Sequence, residues 1–256
     1  MSLGMFNNQV AIITGAGQGI GFEIARQLVV QGANVILNDI DEARAKHAVD
    51  KINNESACHA MPGDASDINF ISEMVNEAVK KFGKLSIAIA NAGITLFGDF
   101  FNYKPEDFEQ VIKVNLHGSF FLAQAVAKQM KKQKEGGSIL LMSSVTAHQA
   151  HKDLAAYGMT KAALEMMAKT LVIELSPFNI SINAIAPGAT ITERTAEDVH
   201  YEKTWSRITP MGKPATVGDI ANAALFLVSP ASRHITGQSL VVDGGWTSVS
   251  PPSDQE

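Results

Sequence analysis

Apolar residues follow two alternating rhythms along the chain. Continuous apolar runs recur as VAIIT at 10–14, NVILND at 34–39, ACHAMPGD at 57–64, LSIAIANAG at 85–93, GGSILLMSS at 136–144, ISINAIAPG at 180–188 and QSLVVDGG at 238–245. Between them apolar positions return every three to four residues, the helical period. These stretches predict helices over 19–31, 41–53, 67–82, 105–134, 155–175 and 216–229. Asp41, Asp67 and Thr216 are the expected N-caps, Gly83 is a stop, and Pro177 follows the fifth helix. Residues 189–214 carry neither rhythm and are expected to be polar and irregular.

Strands apolar on both faces, separated by helices, predict a parallel sheet covered on both sides. Right-handed crossovers then wind it doubly. The expectation is an α/β fold: a single-domain, Rossmann-like, doubly wound, seven-stranded parallel sheet with helices on both faces. No linker, repeat or low-complexity block divides it, so the domain is expected to span 5–249. MSLG at 1–4 reads as an expression leader ahead of Met5, and 250–256 as a frayed tail.

The 256 residues are 46% hydrophobic, enough for a large core. Charged residues make up 18% and the net charge is −5, with no basic face of the kind a nucleic-acid partner selects. No apolar run reaches the roughly 18 residues of a membrane span. Cys58 is the only cysteine, which excludes a disulfide framework and a Cys-rich zinc site. The seven histidines show no H-E-x-x-H spacing, so no metal is expected. A cytoplasmic enzyme acting on small molecules suits this balance.

In such a sheet ligands lie at the carboxyl ends of the strands. The polar strand exits are Thr14–Gly15, Asp39, Asp64, Asn91–Ala92–Gly93, Ser143–Ser144 and Pro187–Gly188. Gly15, Gly19 and Gly21 form G-x-x-x-G-x-G between a strand and a helix, where backbone N–H groups can face a phosphate. The spacing differs from G-x-G-x-x-G. Asp39 follows Gly19 by 20 residues, where a carboxylate can accept from adenosine ribose hydroxyls and repel a 2′-phosphate. Its neighbours Asn38, Ile40 and Asp41 are not basic, and Gln18 is neutral, so NAD is favoured over NADP. Tyr157 and Lys161 stand four apart on one predicted helix face. An ammonium beside a phenol favours its ionised form and suits it to proton transfer. Such a pair arises by chance in roughly half of chains this long, so its meaning depends on context. Ser144, 13 residues earlier at a strand exit, supplies some of that context.

Taken together, the chain resembles the short-chain dehydrogenase/reductase family in its roughly 250-residue form, over about residues 10–246. The family's T-G-x-x-x-G-x-G is met by Thr14, Gly15, Gly19 and Gly21, and its N-A-G by Asn91, Ala92 and Gly93. Its Asn, Ser and Y-x-x-x-K are met by Asn115, Ser144, Tyr157 and Lys161, and its P-G…T by Pro187, Gly188 and Thr192. The resemblance implies Tyr157 as general acid/base, and Lys161 as its partner and a ribose contact. It further implies Ser144 as the group positioning the reacting oxygen, and Asn115 as support for a water leading to Lys161. It implies cofactor contacts from Gly15, Gln18, Gly19, Ile20, Gly21, Asp39, Ile40, Asp64, Ala65, Asn91, Ala92, Gly93, Tyr157, Lys161, Pro187, Gly188, Thr190 and Thr192. Thr190 stands where the family often has Ile or Val.

The substrate is expected between 145–154 and 189–210, with Phe97, His148, His151 and Leu154 as candidate contacts. The two histidines read first as loop residues at the pocket rim, since loops are usually solvated. The implied substrate is a secondary alcohol or ketone of the sugar, hydroxysteroid or similar small-alcohol type, as in a glucose 1-dehydrogenase-like reaction. A 3-oxoacyl-acyl-carrier-protein reductase is the alternative. Such reductases typically carry Arg where this chain has Gln18, and another near Phe178. A silent NAD-binding regulator is a further alternative, and the intact Asn115, Ser144, Tyr157, Lys161 set speaks against it. The resemblance also implies a homotetramer, with 105–134 and 155–175 at one interface and the 216–229 helix and last strand at another.

Overall fold

The computed structural model describes residues 4–249. The leader reading of 1–4, apart from Gly4, and the tail reading of 250–256 lie outside the described residues. Seven parallel strands form one sheet: β1 (Val10–Ile13), β2 (Asn34–Asp39), β3 (Cys58–Pro62), β4 (Ile87–Ala90), β5 (Gly137–Met142), β6 (Ile180–Pro187) and β9 (Ser239–Val242). Their order is β3-β2-β1-β4-β5-β6-β9. The register aligns Ala11 with both Val35 and Ile87, so the centre of the sheet is a row of apolar side chains.

Alternate residues of each strand face opposite sides. Ala11 and Ile13 pack under α1 (Gly19–Val30) and α9 (Val217–Val228), together with Leu28, Val35, Leu37 and Ile220. Val10 and Ile12 pack under α3 (Ile68–Phe82), α5 (Ser119–Gln133) and α6 (Ala155–Thr170), with Met74, Val126 and Leu164. All four β1 side chains are buried, and Val10, Ile12 and Ile13 each contribute about 1.5–3 kcal/mol. Between β1 and β2 lies α1; α2 (Glu42–Ile52) leads on to β3. The chain then crosses to β4 on the other side of β1, and a crevice opens at that reversal.

Three segments differ from the expectation. The helical stretch 105–134 is α4 (Pro105–Val111) and α5 joined by a π-helical segment, Ile112–Gly118. The stretch 155–175 divides at Leu171 into α6 and a short α7 (Val172–Leu175). Residues 189–214 are not irregular throughout. β7 (Thr190–Ile191) pairs with β8 (Ala215–Thr216), and α8 (Tyr201–Ile208) lies between them. Tyr201, Trp205 and Ile208 do recur at helical spacing, but α8 has only 8 residues, too few for that spacing to stand out as a rhythm along the chain. Several strands also stop earlier than their apolar runs, β3 at Pro62 and β4 at Ala90. The polar residues at those exits turn away to form loops.

Candidate active site

A cleft of about 600 Å³ runs along the carboxyl ends of the strands. Its first wall is the β1–α1 loop. Gly15 and Gly19 have φ of 61° and 63°, the left-handed region that side chains avoid. A Cβ on Gly21 would meet Asn91 Nδ2 at 2.5 Å and the Gly15 carbonyl at 2.7 Å. Thr14 Oγ1 accepts from the N–H groups of Asn91 and Ala92, both at 3.1 Å. In return Asn91 Nδ2 donates to the carbonyls of Thr14 and Gly15. The side-chain amide of Asn91 therefore braces the glycine loop. Gly19 N donates to Glu193 Oε2 at 3.0 Å, across the cleft.

At the β2 end, Asp39 is only 6% exposed. Its Oδ2 accepts from Gly17 N and its Oδ1 from Asp41 N, both at 3.1 Å. Its surroundings are less acidic than its sequence neighbours suggest. Arg44, in the first turn of α2, folds back to place Nε 3.6 Å from Asp39 Oδ1 and lines the cleft. Asp64 Oδ1 accepts from Ser66 N and Oγ, and Lys113 Nζ stands 3.5 Å from Oδ2. Burial pushes the Asp64 carboxyl up, and the Ser66 hydrogen bonds with the Lys113 charge outweigh it and hold it below the ordinary value.

The other end is built by β5, the π-helical segment and α6. Lys161 is 3% exposed, and its Nζ donates to the Met142 carbonyl at 2.7 Å. The same Nζ lies 5.4 Å from the centre of the Tyr157 ring. Burial lowers the Lys161 pKa, the Tyr157 charge opposes that, and Arg194 adds to it. Ser144 Oγ accepts from Thr146 N. The neighbouring Ser143 Oγ is buried 2.8 Å from Glu165 Oε1, which also meets His148 Nε2 at 2.9 Å. Asn115 is fully buried behind the cleft wall. Its Oδ1 accepts from Ile94 N and its Nδ2 donates to the Ile94 carbonyl and to Thr160 Oγ1. A Cβ on Gly93 would sit 3.3 Å from Lys161 Nζ and 3.4 Å from Asn115 Oδ1, so Gly93 lets the two groups approach one spot.

Ser144 and every residue expected to touch a cofactor line this cleft, from Gly15, Gln18, Gly19, Ile20 and Gly21 to Pro187, Gly188, Thr190 and Thr192. Ile40, Ala65 and Ala92 are among them. The expected substrate contacts do not join that lining. Phe97 is 71% exposed, His148 turns to Glu165, Leu154 is buried, and His151 stacks 5.1 Å from Trp246. Arg44, Thr95 and Gln110 line the cleft without having been expected there, and Glu193, Arg194 and Tyr201, not named individually, line it from the 189–210 segment expected at the substrate. Tyr201 Oη accepts from Thr190 N, so α8 braces the loop that follows β6. Its spacing with Trp205 was the available signal. Among the described residues no three His, Cys, Asp or Glu side chains gather as metal ligands.

A doubly wound sheet with a glycine-lined phosphate-type loop at one end of its crevice and a buried lysine beside a tyrosine at the other defines a dinucleotide-dependent oxidoreductase. A sequence-family model described as "Enoyl-(Acyl carrier protein) reductase" matches residues 15–247. The chain is 36% identical to the L-rhamnose-1-dehydrogenase of Scheffersomyces stipitis, over 94% of this chain and 97% of that protein. It superposes on a gluconate 5-dehydrogenase from Burkholderia cenocepacia, solved with NADP and tartrate, with a TM-score of 0.89 at 32% identity, covering 98% of this chain and all of the other. It superposes equally, at 0.89 and 35% identity over 96% and 97% of the chains, on a 7α-hydroxysteroid dehydrogenase solved with NADH and 7-oxo glycochenodeoxycholic acid. The chain belongs to the short-chain dehydrogenase/reductase family. It is an oxidoreductase of secondary alcohols that works with NAD(P), and this reading holds over a carrier-protein reductase. Among the described residues no helix is long and apolar enough to cross a membrane.

Proposed function

We propose that the chain moves a hydride between NAD and a secondary hydroxyl or carbonyl of a sugar-type substrate. The observation that carries this is Lys161: a buried lysine facing Tyr157, at the end of a cleft that begins with the glycine loop. The loop suits a dinucleotide. Its backbone is left-handed at Gly15 and Gly19, it has no room for a Cβ at Gly21, and its Gly19 N–H already points at an anionic oxygen. Gly15 to Gly21 would hold the phosphates, and Asp39, Ile40, Asp64 and Ala65 the adenosine. Asn91 to Gly93 would border a ribose, and Pro187, Gly188, Thr190 and Thr192 the nicotinamide side.

When bound, the dinucleotide supplies the hydride donor or acceptor. The chain's own groups manage the proton. The Tyr157 hydroxyl gives or takes it at the substrate oxygen, and the Lys161 ammonium places positive charge beside it. Ser144 Oγ orients that oxygen. Asn115 is a positioning residue, holding Ile94 and the wall at Gly93 against which Lys161 rests.

Asp39 supports NAD as the preferred dinucleotide, and Arg44 beside it supports tolerance of NADP. Polar groups at the cleft, among them Thr95, Gln110 and Arg194, and the similarity to L-rhamnose dehydrogenases support a sugar. A homotetramer is supported by exposed apolar side chains on two faces: Phe120, Met159 and Met166 on α5 and α6, and Phe226 and Leu240 on α9 and β9. The domain is read as 5–249 and the location as cytoplasmic. Light scattering near four times the chain mass checks the assembly.

The test of the chemistry is Tyr157→Phe. It should lower kcat by about 10²–10⁴-fold while NADH binds as before. Wild-type turnover in that variant would remove Tyr157 from the mechanism. A panel of aldoses, hydroxysteroids and simple secondary alcohols with NAD and with NADP should give its highest kcat/KM for an aldose with NAD.

A further inference from the structure

The start of α1 is occupied by a residue from far along the chain. Gln18, at its N-cap, makes no side-chain cap, and the first turn holds no acid. Instead Gly19 N donates at 3.0 Å to the carboxylate of Glu193, 174 residues away in sequence. A carboxylate at a helix N-terminus is favoured by the orphan N–H groups and by the helix dipole. The dinucleotide pyrophosphate seeks the same groups for the same reason. Two anions cannot share one N–H, and at a few ångströms they repel.

We propose that Glu193 is an internal competitor for the pyrophosphate. It caps α1 when the phosphates are away and is expelled when they arrive. It therefore weakens cofactor binding and speeds release. The proposal rests on the reading that the glycine loop holds the phosphates. The geometry around Glu193 suits a group that swings. The residue is exposed, whereas its loop is tied down by neighbours: Thr195 Oγ1 bonds the Thr190 and Thr192 carbonyls and accepts from Thr192 N. The loop can thus hold its shape while the carboxylate leaves.

The experiment is titration of wild type, Glu193→Gln and Glu193→Ala with NADH, ADP-ribose and adenosine, followed by calorimetry or tryptophan quenching. As an exposed residue, Glu193 tolerates both changes without loss of the fold. Removing the charge should tighten NADH and ADP-ribose by about three- to tenfold and slow NADH release to match. Adenosine, which carries no phosphate, should bind all three proteins alike. Unchanged or weaker NADH binding in both variants overturns the competitor role and leaves the cofactor site standing. Equal tightening of adenosine also overturns it, since the effect would then lie elsewhere. Wild type that binds neither NADH nor ADP-ribose would remove the underlying site reading, and the proposal with it.

Discussion

Helices α1 and α9 are neighbours on one face of the sheet, both of 12 residues and both sunk into the same core. Their starts differ. At α9, Thr216 Oγ1 accepts from Asp219 N while Asp219 Oδ2 accepts from Thr216 N, so the helix closes its own end within four residues. At α1 nothing local serves, and an N–H is left to a carboxylate from across the cleft. A helix start that only has to be stable is satisfied from nearby sequence. One that borders a ligand cleft leaves its donors available, and the lack of a local cap beside flexible glycines marks it.

The largest effect should come from Gly21→Val. Its Cβ would meet Asn91 Nδ2, the Gly15 carbonyl and Ala16 Cα, all within 3 Å, and two of these are backbone. NADH affinity should fall by about 100-fold or more, equal to some 2.7 kcal/mol. Binding within a few-fold of wild type would break the view that α1's start is shaped around its backbone. Thr216→Ala should do the converse. It removes about 1–2 kcal/mol of stability, a fall in Tm of a few degrees, without altering NADH affinity. A change in affinity there would blur the contrast between the two starts.

A smaller effect separates the two groups at the β2 exit. Arg44→Ala should lower kcat/KM for NADP relative to NAD by about fivefold, and Asp39→Ala should move the ratio the other way. Parallel shifts would show that neither charge reads the 2′ position. The smallest concerns His151, whose buried Nε2 has no hydrogen-bond partner among the described residues. Burial lowers its pKa below 6.5. The unfolded chain then binds the proton first, so stability falls as pH drops from about 6.5 toward the lower folded value. His151→Phe should flatten that part of a Tm-against-pH curve, and an unchanged slope would refute the assignment.

The strand exits were legible because period and polarity change at the same residues. Asp39, Asn91 to Gly93, Ser144 and Pro187 to Gly188 each end an apolar run, and all converge on one cleft. Caps at Asp41, Asp67 and Thr216 were equally legible, since each bonds within three residues. What stayed hidden depends on distance in the chain. Of the cleft residues not named from the sequence, Glu193 meets Gly19 through a bond spanning 174 residues, Tyr201 comes in on a half-buried side of α8, and Arg44 folds back from the first turn of α2. The sequence neighbours of Asp39 are non-basic as read, but Arg44 stands beside it in space, which adjacent residues do not reveal. The π-helical turn at Asn115 also had no signal in the sequence, since the apolar period through 105–134 does not register one extra residue per turn.

The sequence by itself determined the order of elements, the doubly wound sheet and the chemistry gathered at its carboxyl edge. Those follow from periodicity and from local bonds of a few residues. Only the tertiary structure decided which charges meet there. Lys161 against the Met142 carbonyl and Glu193 on α1 are contacts between distant segments that meet only once the fold is packed, and Arg44 reaches Asp39 only through the way its side chain turns back over the β2–α2 connection. Burial strengthens the Lys161 contact most, because a low-dielectric interior amplifies interactions that water screens around the more open Arg44 and Glu193.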